Sequence, residues 1–375
     1  MISDFRVKHV TISPQNTFVY KEISMKLSNY TVELLNDIEN RIDPDAEEDY
    51  IRQWESFWDN KFAKPIFTPK RKTVSAPKIE IKPVHINDAL LDCELMLDMQ
   101  MESVSNALSK GNQALSMRAN YGTGIIGSLF GAEIFTMPRE QKTLPTVRAF
   151  NDTDKIKSLT DAGIPDLGFA FGKNVFEFGE YCAEVFRNYP KISKYVYMMH
   201  PDTQGPLDIA ELLWGGEMFY AMYEEPDLVH DFMKVITETY VKFLEKWFAM
   251  YPNNPELNVH WDFWMKGAIV LRDDSAMNIS PDFYREFAYP YDKYLLDHFG
   301  GGVVHFCGRG DHYIDILTSI DSLSAINLSQ PHLNDMEKIY NSAFSNGKKI
   351  LKLRDSACNE YNARPNALNG MISNV

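Results

Sequence analysis

His305 and Cys307 stand two residues apart in the apolar run Val303-Val304-His305-Phe306-Cys307-Gly308. On an extended strand, side chains two apart share a face, so an imidazole and a thiol converge on one point. Zinc takes histidine nitrogen and cysteine sulfur readily, and a third ligand with one position left open makes such a site catalytic rather than structural. The same pair has a plain alternative, in which Cys307 is a small hydrophobe in a packed strand and no metal is held.

Elements must bring these groups to an edge, and the second half of the chain has the right rhythm. From Leu144 onward, short apolar runs alternate with longer amphipathic stretches, the pattern of βαβ units and a parallel sheet. Strands are predicted at 195–199, 257–261, 268–271, 303–306, 323–328, 349–353 and 370–375. Pro226 opens a helix with Leu228, Phe232, Ile236, Phe243 and Trp247 on one side, and Ser280-Pro281 caps and starts another. A closed (β/α)8 TIM-type barrel fits, with an N-terminal helical extension before it. In that fold the chemistry sits at the C-terminal strand ends. Polar residues gather at those ends: His200 and Asp202, His260, Asp273 and Asp274, His305 and Cys307, Gln330 and His332, Arg354 and Asp355.

The first 110 residues have a different character and are expected to form a helical extension and linker, with the barrel over 111–375. Helices are predicted at 31–38 and 45–62, the second carrying Tyr50, Trp54, Phe57 and Trp58. The basic, proline-containing segment 64–83 suggests an extended linker. Asn87 then begins a helix whose Leu90, Leu97, Met101, Val104 and Leu108 form one stripe ending near Gly111. The tryptophans of this extension suggest a homodimer surface.

Composition bounds the partners. The chain has 375 residues, 45% hydrophobic and 24% charged, as an ordinary globular enzyme has. A net charge of −14 argues against nucleic acid or an anionic membrane as partner. No run approaches a membrane span. Four cysteines (Cys93, Cys182, Cys307, Cys358), with no signal-like segment at the start, point to free thiols in a cytoplasmic setting.

The segments 202–208 (Asp-Thr-Gln-Gly-Pro-Leu-Asp), Asp273-Asp274 followed by Ile279-Ser280-Pro281, Tyr289-Pro290-Tyr291, and Val304-His305-Phe306-Cys307-Gly308 together resemble the uroporphyrinogen decarboxylase superfamily. The resemblance runs from about Arg118 to the C-terminus. It implies a TIM-type barrel and one of two chemistries. The arginine- and glycine-containing segment with which true uroporphyrinogen decarboxylases hold their substrate is absent, and Arg118-Ala119-Asn120-Tyr121-Gly122-Thr123-Gly124 is the nearest stretch. The other branch moves methyl groups between a corrinoid protein and a thiol, or from a small methyl donor to a corrinoid. Many of its members carry His-x-Cys and a later cysteine as zinc ligands. The resemblance thereby implies zinc on His305 and Cys307 and a corrinoid carried by a partner protein. In those members the third ligand is a cysteine near the last strand; here the only later cysteine is Cys358, just after the seventh strand candidate, so the chain departs from the pattern there. Cys358 is taken as the third ligand, with His332 or Glu360 as nitrogen or oxygen substitutes.

Adjacent carboxylates on a strand end face opposite ways, so Asp273 and Asp274 offer one pocket group between them. The resemblance implies a catalytic role there, and His260 joins them as a candidate. Arg272 beside them is expected as an ion-pair partner. Substrate contacts are expected from Arg118, from Asn120 and Tyr121 with the glycines at 122, 124 and 127, from Asp202 and Gln204 in a loop bent at Gly205-Pro206, and from Arg309. Two other functions remain open. A metal-free decarboxylase of a small acid would gather Arg118, Arg309 and Arg354 in one pocket. A non-catalytic barrel partner would leave His305 unpaired in an open mouth.

Overall fold

The computed structural model describes the backbone of residues 5–12, 18–254 and 256–375, with side chains from residue 26 onward. It shows a mixed α/β fold built on a six-stranded parallel sheet in the order Ile269–Arg272, Gly302–Phe306, Leu323–Leu328, Lys349–Ile350, Ile372–Ser373, Ile66–Phe67. A separate parallel pair joins Ser116–Met117 to Tyr197–Met198. Two bonds tie this pair's C-terminal side to the first strand of the large sheet. Val270 N donates to His200 Nε2 at 2.9 Å, and Gly205 N donates to Arg272 O at 2.8 Å. Residues Phe5–Ile12 and Phe18–Met25 form an antiparallel hairpin.

The register explains how the strands serve two layers. Val270, Val303 and Ala325 lie abreast, and two residues on, Arg272, His305 and Asn327 lie abreast on the same face. The first row is dry and packs with Trp54, Phe57, Trp264 and Leu351. The second row is polar and heads the site. On the other face, Leu271, Val304, Phe306, Ile326 and Leu328 bury against the helices, which alternate with strands through Tyr289–His298, Met336–Ser345 and Asp355–Asn362. The 25-residue helix Pro226–Met250 buries Phe232, Ile236, Phe243 and Trp247, the side expected for it. Ser280 caps the next helix by accepting from Phe283 N at 3.2 Å.

Four expectations change. The run 257–261 does not add a parallel strand: Asn258–His260 folds back antiparallel on Phe263–Met265. Phe263, Trp264 and Met265 are all buried, and the hairpin is held by its packing beneath the dry row. The expected linker at 64–83 supplies the sheet strand Ile66–Phe67, paired with Ile372–Ser373. Its Arg71 forms a buried ion pair with Glu47 at 2.5 Å. Residues before 111 are therefore woven into the same sheet as the end of the chain. Tyr50, Trp54, Phe57 and Trp58 lie inside the chain's own core rather than on a dimer face. Finally, the single helix expected from Asn87 is two: Ile86–Ala89 ends at Leu90, and Asp92 caps a new helix Cys93–Lys110 by accepting from Glu94 N and Leu95 N. Leu97, Met101, Val104 and Leu108 are buried on it as expected, and it ends on Gly111 at φ 81°, the left-handed geometry that glycine takes without strain.

No helix of the described residues is long and apolar enough to cross a membrane.

Candidate metal centre

His305, Cys307 and Asp274 bring a ring nitrogen, a sulfur and a carboxylate oxygen within 4.8 Å of one another, and among the described residues this is the one such group of three. His305 Nε2 is 3.4 Å from Cys307 Sγ and 3.8 Å from Asp274 Oδ1. The imidazole is nearly buried, whereas the Asp274 side chain is 41% exposed, so the group opens to solvent on the carboxylate side.

Neighbouring elements fix each donor. Asn327 Nδ2 donates to Leu351 O at 2.7 Å, which turns its carbonyl oxygen toward His305. Asn327 Oδ1 then sits 2.5 Å from His305 Nδ1. An oxygen acceptor there places the ring hydrogen on Nδ1 and leaves the Nε2 lone pair facing Cys307 and Asp274, as a metal-binding histidine requires. Asp274 is held from both ends: its N–H donates to Asp208 Oδ2 at 3.0 Å, and its Oδ1 accepts from Cys307 N at 2.6 Å. Ser275 N donates to the other oxygen of Asp208 at 2.7 Å. Asp208, in the first turn of helix Pro206–Trp214, thus clamps the loop that carries the third donor. Gln330 Oε1 accepts from Gly308 N at 2.6 Å and holds the loop after Cys307.

Burial pushes the Cys307 thiol up to about 11, against a lowering contact from Ser329. Burial pulls His305 down from its ordinary value, against the nearby Asp274. Without a cation the pair is a neutral thiol beside a neutral imidazole. Nitrogen, sulfur and oxygen donors in this number, with one side open, fit zinc and leave room for a fourth ligand.

A polar layer surrounds the histidine. Asp202 is gripped by Arg272 Nε at 2.6 Å and by Arg118 at 2.8 Å, and it also accepts from Gln204 at 3.3 Å. Arg272 additionally donates to His260 Nε2 at 3.0 Å. His260 is fully buried against His200, ring centroids 4.3 Å apart. Burial, then His200, drives its pKa well below the ordinary value. His200 accepts from Val270 N on Nε2 and bonds Pro201 O at 2.8 Å through Nδ1, a structural clasp between two strands. Trp261, at the hairpin tip, presents its ring to the Arg272 guanidinium at 4.8 Å and to the His305 ring at 5.1 Å. It also lines a cavity of about 300 Å³ with Gln100, Gln113, Ser116, Arg118 and Asp262.

Asp273 and Asp274 do face opposite ways, and Asp274 takes the exposed side. Asp273 is fully buried with Asp292. Burial raises Asp273 far above the usual carboxylate range and raises Asp292 to about 7. Tyr284 Oη donates to Asp292 Oδ2 at 3.1 Å, while neither oxygen of Asp273 finds a donor among protein groups. A proton shared between the two carboxyls supplies the missing donor.

Several expected site residues lie elsewhere. Cys358 is not in the group: its buried thiol bonds Leu353 O at 3.3 Å inside helix Asp355–Asn362. Asp274 stands in the place expected for it. His332 and Glu360, the expected substitutes, are exposed and outside the group. His260 is sealed in the interior, and Asp273 is spoken for by Asp292, so neither faces the open side. Asp202 is engaged with the two arginines, and Gln204 donates to Asp202, so neither is brought out as a free substrate contact. Tyr121 is buried against Phe171, ring centroids 5.4 Å apart, and Asn120 is buried beside it. A Cβ on Gly122, Gly124 or Gly127 would meet the segment 145–147 within 3 Å, so these glycines serve packing. Gly205 approaches the neighbouring strand rather than a ligand. Arg309 is exposed and pairs with Asp311 at 2.7 Å.

Asp208, Asn327, Trp261 and Asp292 were not singled out for the site. Only Asn327 had a local signal, lying two residues before Ser329 on a strand beside the His-x-Cys strand. Compared with known proteins, the chain matches no family model and no curated protein.

Proposed function

We propose that the chain is a zinc-dependent methyltransferase that moves a methyl group between a corrinoid protein and a thiol or small methyl donor, on a (β/α)8 barrel like that of the uroporphyrinogen decarboxylase superfamily. What carries this is the convergence of His305 Nε2, Cys307 Sγ and the Asp274 carboxylate within 4.8 Å at the C-terminal end of strand Gly302–Phe306. Eight parallel strands are available for the barrel, six in the large sheet and two in the pair, and the clasps at His200 and Gly205 join the two sets. The site's position at the C-terminal ends agrees with that architecture.

When bound, zinc would supply a positive centre that keeps a substrate thiol as its nucleophilic thiolate, or polarises the heteroatom of a methyl donor. His305, Cys307 and Asp274 would hold it. Asn327 keeps the proton on Nδ1 so that Nε2 is ready. Asp208 and the Cys307 amide keep Asp274 turned toward the histidine. The Arg118–Asp202–Arg272 network braces the inner side without placing a free carboxylate against the metal, because Asp202 spends both oxygens on guanidinium groups.

A metal-free decarboxylase has less support. Arg118 is bound to Asp202, Arg309 turns to Asp311, and Arg354 lines a different cavity with Asp355 and Asn374.

The direct test mixes zinc-loaded protein with methylcob(III)alamin and a small thiol, and follows loss of the methyl-cobalt absorption together with thioether formation. Conversion that disappears in both His305→Ala and Cys307→Ala supports the assignment. No conversion of methylcobalamin with a range of small thiols, and none of cob(I)alamin with methylated amines, would remove it.

A further inference from the structure

We propose that the chain has a second ligand site, a cavity of about 770 Å³ toward the N-terminal end of the strands, and that it takes a neutral heteroaromatic molecule of the nucleoside class. The inference does not depend on the zinc assignment. Ala268, on the cavity wall, precedes strand Ile269–Arg272, and Asp274 follows the other end of that strand. None of the three metal donors lines the cavity.

Two polar groups on the wall point to a ligand. Trp264, only 5% exposed, has a buried indole N–H with no acceptor among the described residues, and Asn253 has a buried side-chain oxygen with no donor among them. The neighbouring indole makes the contrast: Trp58, also on the wall, donates from Nε1 to Trp264 O at 3.1 Å. A buried donor or acceptor left unmade costs about 1–3 kcal/mol. Here one of each stands on the wall of a single cavity. The segment beside Asn253 is held in place, because Asn258 Oδ1 accepts from Asn254 N at 2.9 Å and Asn258 Nδ2 donates to Asn254 O at 2.6 Å. The cavity volume lies within the roughly 300–1,000 Å³ span of ligand pockets.

The lining sets the ligand class. Tyr197 and Trp264 meet edge to face, ring centroids 4.6 Å apart at 72°, and Phe248 and Tyr251 add two further rings. Aromatic walls favour a flat ring system, and an indole N–H with an amide oxygen calls for an acceptor and a donor on the ligand's edge. A hydrocarbon would satisfy neither. Charge argues against a phosphorylated ligand: the lining lysines already face carboxylates, Lys194 facing Glu48 at 2.9 Å and Lys266 facing Asp59 at 3.9 Å. Glu55 and Glu256, both exposed, add negative charge at the rim. A nucleoside meets these conditions, with its base between the rings and its ribose hydroxyls toward the acidic rim; a nucleotide does not.

The test titrates the full chain with adenosine, inosine and uridine, and with AMP, by isothermal calorimetry. At least one nucleoside should bind with a dissociation constant below about 100 μM, and AMP should bind at least about tenfold more weakly than adenosine. Trp264→Phe keeps a ring and removes the N–H, and should weaken the best nucleoside about tenfold. Ser193 lines the cavity and is exposed, so Ser193→Trp fills the space without disturbing the core; it should abolish binding while the melting temperature stays unchanged. No binding of any of these nucleosides below about 1 mM would overturn the inference. Equal affinity in wild type, Trp264→Phe and Ser193→Trp would place the ligand elsewhere and overturn it too, and AMP binding as tightly as adenosine would overturn the neutral class. Each of these results leaves the zinc assignment standing.

Discussion

Asn327 Oδ1 lies 2.5 Å from His305 Nδ1, the two residues being partners on adjacent strands, and the amide is held in that orientation by its own bond to Leu351 O. Removing such a partner of a metal-binding histidine lowers metal affinity by about 10–100-fold. Asn327→Ala should therefore weaken zinc binding by that factor, measured by competition with a chromogenic chelator. Unchanged affinity would mean that the tautomer is set by something else.

The third ligand separates two proposals cleanly. With Asp274 in the group and Cys358 bonded to Leu353 O, Cys358→Ser should retain zinc at wild-type stoichiometry, whereas Asp274→Ala should lose affinity. Metal analysis after dialysis against a weak chelator checks both. Loss of zinc in Cys358→Ser would reinstate the cysteine as ligand.

The buried carboxyl pair makes stability depend on pH. Asp292 titrates at about 7 in the folded chain, raised first by burial, against an unfolded value near 3.9. A raised acid contributes stability that is full below the unfolded pKa and is lost as pH rises through the folded one. The melting temperature of the wild type should fall between about pH 4 and pH 8 relative to Asp292→Asn, which keeps an acceptor for Tyr284 but carries no charge. Parallel curves for the two proteins would show that Asp292 is not the carboxyl that burial raises.

Gly205, at the start of helix Pro206–Trp214, lets its loop touch the end of strand Ile269–Arg272. A Cβ there would lie 2.6 Å from Asp273 Oδ1 and 2.7 Å from Arg272 O. Gly205→Ala should cost about 1–3 kcal/mol in urea unfolding, because one neighbour is backbone and the other a carboxyl buried against Asp292. A loss below about 0.5 kcal/mol would mean that the loop relaxes freely.

Much of this was legible in the residues, and the limits are physical. Period-two placement of His305 and Cys307 was enough to put both on one face, and strand periodicity located the elements on either side. The opposition of Asp273 and Asp274 followed from the same alternation. What sequence spacing does not carry is which loops meet: Cys358 follows the strand at 349–350, as a ligand should, but its helix turns the thiol inward onto Leu353 O. Asp274 became the third donor through a clamp by Asp208, 66 residues away. The hairpin at 258–265 looked like a sheet strand because its alternation is that of any half-buried strand, and only packing beneath Val270 and Val303 reveals its direction. Tryptophans at helical spacing say that a face is apolar, without saying whose core it enters.

Zinc-edge X-ray absorption on purified, zinc-loaded protein tests the metal centre most directly. The expected result is about one zinc per chain with a single sulfur near 2.3 Å and the remaining ligands nitrogen or oxygen near 2.0–2.1 Å. Less than about a tenth of an equivalent of zinc, or a spectrum requiring two sulfurs from the chain, would contradict a centre built from His305, Cys307 and Asp274.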